Sequence, residues 1–387
     1  MKNLLFINGH MNPGGAEKSL LDILKHLDYS QYHVELLLLE ELGSYASEIP
    51  KEVEIRLFDL HNTYGSVINS VKRCIEQKDW GNLWVRLVFL STRFGGIDKI
   101  KWAAKTIVGT KIYDCVIAFR PGIATSLAAY AVHTKKRITW WHHGEINLNE
   151  DQQKEYELEC REMDCVIAVS NGCAKMLTEH FTTLKDKIIV IPNMIDIDQL
   201  LDKADAYVPF EKQCGVCNIV TVSNLSPEKH IENVIAAAKV FAKQGKRFRW
   251  FVVGDGVQKI KLEEQVKKNA LAEYVFFVGS KENPYPYMKR ADMVAHTSYV
   301  ESQCLVVLEA MALGTPCVVT KSIGTKEFCI DGINCILVEQ GLEALIIGIA
   351  RMWDSLESNQ TMILNGKSTV ANYGADIVNA KIQKALE

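Results

Sequence analysis

Two carboxylates, Glu301 and Glu309, stand in the stretch YVESQCLVVLEAMALGTPCVV (299–319), the second among Leu308, Ala310 and Met311. A buried carboxylate without a donor costs several kcal/mol or gives up its charge, so Glu309 demands hydrogen-bond partners. An ion pair with a neighbouring Arg or Lys would satisfy it, and so would a ligand. The spacing predicts a helix from about Gln303 to Leu313 with Gly314 at its C′ position. The start of that helix, at Ser302, Gln303, Cys304 and Leu305, would present unpaired N–H groups and the positive end of the helix dipole. Lys229 in SNLSPEKH (223–230) projects from the first turn of a second expected helix, where an anion would be favoured; Ser226 is the expected N-cap and Pro227 the first helical residue.

Other strand-end segments are less specific. Gly14 and Gly15 precede a helix with Leu20, Ile23, Leu24 and Leu27 on one face; adjacent glycines do not make a dinucleotide fingerprint, but such a pair leaves N–H groups suited to a phosphate or sugar oxygen. VVGDG (252–256) ends its strand in a tight turn around Gly254, which fits either a closely approaching ligand or plain turn chemistry. Asp196-Ile-Asp198 spells a DxD, a pattern that elsewhere holds a divalent metal, yet Asp198 reads equally as a helix N-cap, and no metal is expected. Cys214 and Cys217 form a CxxC without a second ligand pair.

The elements that must position these residues follow a repeating rhythm. Apolar runs at 4–8, 33–40, 54–60, 114–120, 137–143, 164–170 and 188–193 alternate with helix-length segments. After a polar stretch at 202–215 the rhythm restarts with runs at 218–225, 248–256, 274–280, 292–298, 316–322 and 334–339. Runs apolar on both faces and separated by helices predict α/β architecture: parallel sheets covered on each side. Two doubly wound, Rossmann-like domains are expected, residues 1–205 and 206–369, with a C-terminal helix at about 370–387 packing back on the first; ligands would bind beyond the carboxyl ends of the strands, in a cleft between the domains. At 387 residues the chain has room for two cores. A net charge of −3 argues against nucleic acid as a partner. The N-terminus reads as a strand rather than a signal peptide, and eleven cysteines, mostly inside apolar runs, suit a reduced cytoplasmic protein.

In that order, VSNLSPEKH, VVGDG, VFFVGSKENPYPYMKRADMVAHTSYVE, ESQCLVVLEAMALGTPCVVT and IGTKEFCIDGINCILV resemble the group-1 glycosyltransferases, the retaining nucleotide-sugar enzymes of family 4 with the GT-B fold. VIPNMIDID and WWHHGE are similar to further segments of that family, the latter to its capsule and exopolysaccharide members. The resemblance implies that Glu309 accepts hydrogen bonds from the nucleotide ribose, that Glu301 meets hydroxyls of the donor sugar, and that the amides of 302–305 touch sugar and diphosphate. It implies a diphosphate-neutralising role for Lys229 and places His143 near the donor sugar; His142 would point to the opposite face of its strand. Asn224 stands where the family commonly has Arg, so Lys229 carries more of the diphosphate charge, assisted by the helix start near 304 and by Gly14–Gly15. Transfer with retention would then rest on electrostatic stabilisation of the leaving diphosphate, with no cofactor and no metal. A UDP-sugar epimerase of the same architecture and a non-catalytic partner subunit are the alternatives; an NAD oxidoreductase is disfavoured by the missing GxGxxG.

Residues 64–112 carry nine Lys or Arg against three acidic residues. Lys72, Arg73, Arg86 and Lys101 are interleaved there with Trp80, Trp84 and Trp102. Such a segment suits an anionic membrane surface, where a lipid-linked saccharide acceptor would lie; a solvated helical excursion with inward tryptophans is the other reading. The expected location is cytoplasmic, peripheral on the inner face of the cell membrane.

Overall fold

A computed structural model describes residues 1–58, 67–76, 78, 80, 83 and 107–387. It divides into two compact units: Met1–His142 with Ile146–Pro192 and Asn379–Glu387, and His143–Glu145 with Asn193–Val378. No described helix is long and apolar enough to cross a membrane.

The first unit is built on seven parallel strands: β1 (Lys2–Asn8), β2 (Tyr32–Leu38), β3 (Val53–Leu57), β4 (Ile112–Ala118), β5 (His133–Trp141), β6 (Cys165–Ala168) and β7 (Ile188–Val190). They lie in the order β3-β2-β1-β4-β5-β6-β7, which reverses direction between β1 and β4. Helices α1 (Gly15–His26), α2 (Val67–Glu76), α3 (Ile123–Tyr130), α4 (Glu150–Arg161) and α5 (Asn171–His180) belong to this part of the chain. β1 is buried from Leu4 onward, as a strand covered on both faces must be.

The second unit repeats the plan with β8 (Cys217–Val222), β9 (Phe248–Val253), β10 (Val275–Gly279), β11 (Met293–His296), β12 (Cys317–Thr320) and β13 (Ile336–Val338), in the order β10-β9-β8-β11-β12-β13. Its helices are α6 (Ile197–Ala204), α7 (Ile231–Lys243), α8 (Lys259–Lys268), α9 (Tyr285–Arg290), α10 (Leu305–Leu313), α11 (Leu342–Asp354) and α12 (Gln360–Ala371). Alternate strand residues feed two cores. Val220, Phe251, Val294 and Val319 pack with α6, α9 and α10, whereas Ile219, Trp250, Met293 and Val318 pack with α7, α8 and α11. This is the period-2 alternation of a sheet sandwiched between helices.

The units do not divide at residue 205. Leu200 and Ala204 of α6 lie in a core of the second unit, and the backbone of Asn193 is already bonded to the side chain of Gln303 there, so the second unit starts ahead of α6. The last helix, α13 (Ala375–Leu386), is separate from α12, and its Asn379 donates to the His26 carbonyl at 3.0 Å.

The buried carboxylate of α4 is met by a hydroxyl. Glu159 of α4 accepts from the Ser126 hydroxyl of α3; burial pushes its carboxyl up to about 8, with Ser126 opposing and Glu155 adding to the rise. Because the folded state holds this proton more tightly than the unfolded chain, stability falls as pH rises from about 4.5 to about 8, by at most about 1.4 kcal/mol per pH unit. Glu159→Gln should flatten that slope and raise the melting temperature at pH 8 but not at pH 4; thermal melts across this range measure it.

Candidate functional site

Lys229 and Glu301 follow β8 and β11, the neighbouring strands at which the order of the second sheet reverses. Beyond such a switch point the flanking loops diverge, leaving room for a ligand. The structure brings the two side chains together: Lys229 Nζ lies 2.8 Å from Glu301 Oε1. His296, the last residue of β11, joins them with Nε2 3.3 Å from the same oxygen, and the Cys304 thiol is 3.2 Å from that nitrogen.

Burial opposes the charge on Glu301, but the Lys229 ammonium and His296 outweigh it and hold the carboxyl at about 2. Burial likewise opposes the charge on Lys229, and Glu301 more than compensates, raising its pKa. Both groups are therefore ionised at neutral pH. Burial, reinforced by the Glu301 charge, pushes the Cys304 thiol well up, so it stays protonated.

The loop carrying Lys229 differs from expectation. Pro227–Lys229 form a single 3-10 turn, His230 adopts a left-handed conformation at φ 50°, and α7 begins only at Ile231. Ser226 does not cap the helix; its hydroxyl donates to Glu228 at 2.5 Å. Three contacts fix the turn to the other loop: Thr297 Oγ1 donates to the Lys229 carbonyl at 2.7 Å, Tyr299 N donates to the Glu228 carbonyl, and the His230 ring stacks on Tyr299 with centroids 3.7 Å apart. These contacts aim Lys229.

Glycines wedge the Glu301 loop. A Cβ on Gly144 would stand 2.6 Å from the Glu301 carbonyl carbon, and one on Gly324 would stand 2.6 Å from the amide nitrogen of Gln303, so neither position tolerates a side chain. His143 and Gly144 belong to the short segment that clusters with this unit, whereas His142 is counted with the first unit, its ring 4.6 Å from that of Phe119. Helix α10 begins at Leu305 rather than Gln303, because Cys304 takes the left-handed conformation at φ 65°. The buried Gln303 side chain clamps Asn193, accepting from its N–H at 2.6 Å and donating to its carbonyl at 3.1 Å. Ser302, Cys304 and Leu305 thus flank the helix start, with Gly314 closing the other end in a left-handed C-cap at φ 76°.

Glu309 is buried in α10 and accepts from the Tyr285 hydroxyl at 3.1 Å. A protein hydroxyl therefore supplies one of the donors that the sequence demanded. Tyr285 and His296 are functional candidates that sequence reasoning missed. The NPYPY segment and a histidine ending an apolar strand are the available signals.

The remaining candidates divide. Asn224 is exposed, and the glycines of VVGDG serve the chain itself: a Cβ on Gly254 would strike the Ser223 carbonyl, and one on Gly256 would meet that of Leu225 at 2.7 Å. In the first unit Gly14 is the N-cap residue of α1, and the buried Glu17 carboxylate, ion-paired with Arg120, fills the space of its missing Cβ; Gly15 has no such constraint. Asp196, not Asp198, caps α6 by accepting from Gln199 N at 3.0 Å, since the helix starts at Ile197. Cys214 is exposed and Cys217 buried in β8. Lys72 and Trp80 are exposed, the former 3.9 Å from Glu76. Trp84, Arg86, Lys101 and Trp102 lie outside the described residues, as does the side chain of Arg73.

Removing one partner of a partly buried ion pair leaves the other under-compensated. Lys229→Met should lower stability by about 1–3 kcal/mol, and adding Glu301→Gln should restore most of the loss; urea melts of the single and double variants measure the coupling.

Residues 217–369 match the family described as Glycosyl transferases group 1, and residues 13–199 match Glycosyltransferase Family 4. A Bacillus anthracis N-acetyl-alpha-D-glucosaminyl L-malate synthase is 30% identical over 183 residues, 46% of this chain and 47% of that protein. A Campylobacter jejuni N-acetylgalactosamine-N,N'-diacetylbacillosaminyl-diphospho-undecaprenol 4-alpha-N-acetylgalactosaminyltransferase is 26% identical over 192 residues, 47% of this chain and 51% of that one. The chain spans about half the length of the curated relatives it matches. Among solved structures, Anabaena HepE in complex with UDP and glucose superimposes with a TM-score of 0.75 at 20% identity, covering 100% of this chain and 99% of that one. With both sheets, the paired loops and two family patterns spanning most of its length, the chain belongs to the group-1 glycosyltransferases and has the GT-B fold.

Proposed function

We propose that the protein is a retaining hexosyltransferase that moves a sugar from a UDP-linked donor to a saccharide or lipid-linked saccharide in surface polysaccharide assembly. The observation that carries this reading is the Lys229–Glu301 pair, 2.8 Å apart beside the start of α10 and one helix turn and more ahead of Glu309. The donor diphosphate draws the Lys229 ammonium toward itself, and Glu301 is then free to accept from sugar hydroxyls. Glu309, already bonded to Tyr285, accepts from the ribose. As the glycosidic bond breaks, negative charge grows on the diphosphate oxygen, where Lys229 and the amides of 302–305 stabilise it without a metal. Asn224 adds no charge there, and His143 lines the sugar side. HepE was crystallised with UDP and glucose, and the Campylobacter relative is named for transfer to a diphospho-undecaprenol sugar; both support the donor and acceptor classes proposed.

Thermal melts with UDP-, GDP- and ADP-sugars test the donor. A ligand that binds only the native state at a hundredfold over its Kd adds about 2.7 kcal/mol of stability. A UDP-specific upward shift, abolished in Glu309→Ala and reduced in Tyr285→Phe, is expected; a shift with NAD alone, or one unchanged by Glu309→Ala, contradicts the reading.

The basic, tryptophan-bearing stretch 64–112 is proposed to hold the protein on an anionic membrane near a lipid-linked acceptor. Co-flotation with phosphatidylglycerol vesicles that is lost at high salt is the expected result; protein remaining at the bottom of the gradient refutes it.

A further inference from the structure

The geometry points to a zinc-class cation site formed by His296, Glu301 and Cys304, at which the metal acts as a competitor of the donor rather than as a cofactor. Imidazole, carboxylate and thiolate together are a characteristic ligand set for Zn2+. One ligand atom from each residue lies within 4.8 Å of the other two, and the His296–Cys304 and His296–Glu301 separations are 3.2 and 3.3 Å. A tetrahedral zinc with ordinary bond lengths spaces its ligand atoms about 3.3–3.6 Å apart, so the His296–Glu301 distance already fits, the His296–Cys304 distance opens by a few tenths of an ångström, and Cys304 stays within 4.8 Å of Glu301. His296 and Cys304 are buried at 3% and 5% exposure, on a strand end and a helix start that the sheet fixes in place. Cys304 holds a left-handed conformation that non-glycine residues seldom adopt, and this turns its thiol toward His296. In the other grouping of this kind among the described residues, His33, Glu35 and Glu54, the one buried carboxylate is held by two cations, Lys111 and Arg56, and the Tyr113 hydroxyl, against the single ammonium on Glu301.

Binding replaces the Cys304 S–H bond by an S–metal bond and releases that proton to solvent, while His296 coordinates through neutral Nε2 and water fills the remaining position. The opposing charge is Lys229, whose ammonium is bonded to the same Glu301 oxygen. Metal and ammonium therefore compete for one carboxylate.

Cobalt(II) titration of the full chain tests the site, using the near-ultraviolet absorption of a thiolate–cobalt bond and competition by Zn2+. A Cys214→Ser background removes the exposed thiol. Saturable one-to-one binding is expected, with the thiolate band lost in Cys304→Ser, binding weakened about a hundredfold in His296→Gln, and binding tightened about tenfold in Lys229→Met. A Zn2+-dependent rise in the melting temperature of the otherwise unaltered protein gives the same readout if the variants fail to fold. No thiolate band, a band that survives Cys304→Ser and His296→Gln, or a melting temperature unaffected by zinc overturns the inference. Suppression of the band by a UDP-sugar rests on the donor reading above. Metal binding that persists unchanged with saturating UDP-sugar sinks the competition while leaving the direct binding data to stand or fall separately.

Discussion

A single partly buried ion pair sets the character of the second unit's strand-end site. Lys229 and Glu301 come from loops on either side of the sheet's switch point, and each is held charged by the other against the cost of burial. Everything near them serves that pairing. The left-handed His230 ends the 3-10 turn and stacks on Tyr299, Thr297 anchors the Lys229 carbonyl, and Gly144 and Gly324 let two further backbones close on the Glu301 loop. A preorganised pair of opposite charges is also an exchangeable one. An anion can take the ammonium, and a hydroxyl or a cation can take the carboxylate, with little movement of the backbone.

The buried carboxylates differ in what satisfies them, and the difference sorts structure from function. Glu35 in β2 is surrounded by Lys111, Arg56 and Tyr113; burial is overcome by these partners, its pKa is lowered, and it ties β2 to β3 and β4. Glu159 keeps its proton because a hydroxyl alone cannot offset burial. Glu301 shares one lysine at the mouth of a strand end, and Glu309 takes a tyrosine hydroxyl inside an apolar helix. Full enclosure by cations suits a fixed strut.

Much of this was legible in the chain because parallel strands are apolar on both faces. Every one of the thirteen described strands falls on an apolar run, and Lys229, Glu301 and Glu309 stand out as charges beside or within such runs. What stayed hidden depended on how loops fold back on strand ends and how helices pack. His296 looks like a core residue until β11 is seen to end beside Glu301, and Tyr285 meets Glu309 only because α9 packs on α10. Helix ends moved for local reasons: the left-handed His230 and Cys304 each delayed a helix start, and Asp196 displaced Asp198 as cap. VVGDG calls for glycine because its own chain crosses there.

The central claim is that Glu301 and a donor diphosphate compete for one ammonium. Calorimetric titration with UDP, which lacks the sugar that Glu301 would meet, isolates that competition. Glu301→Gln should bind UDP about tenfold more tightly than the unaltered protein, and Lys229→Met at least tenfold more weakly. UDP affinity that is unchanged or reduced in Glu301→Gln would contradict the account.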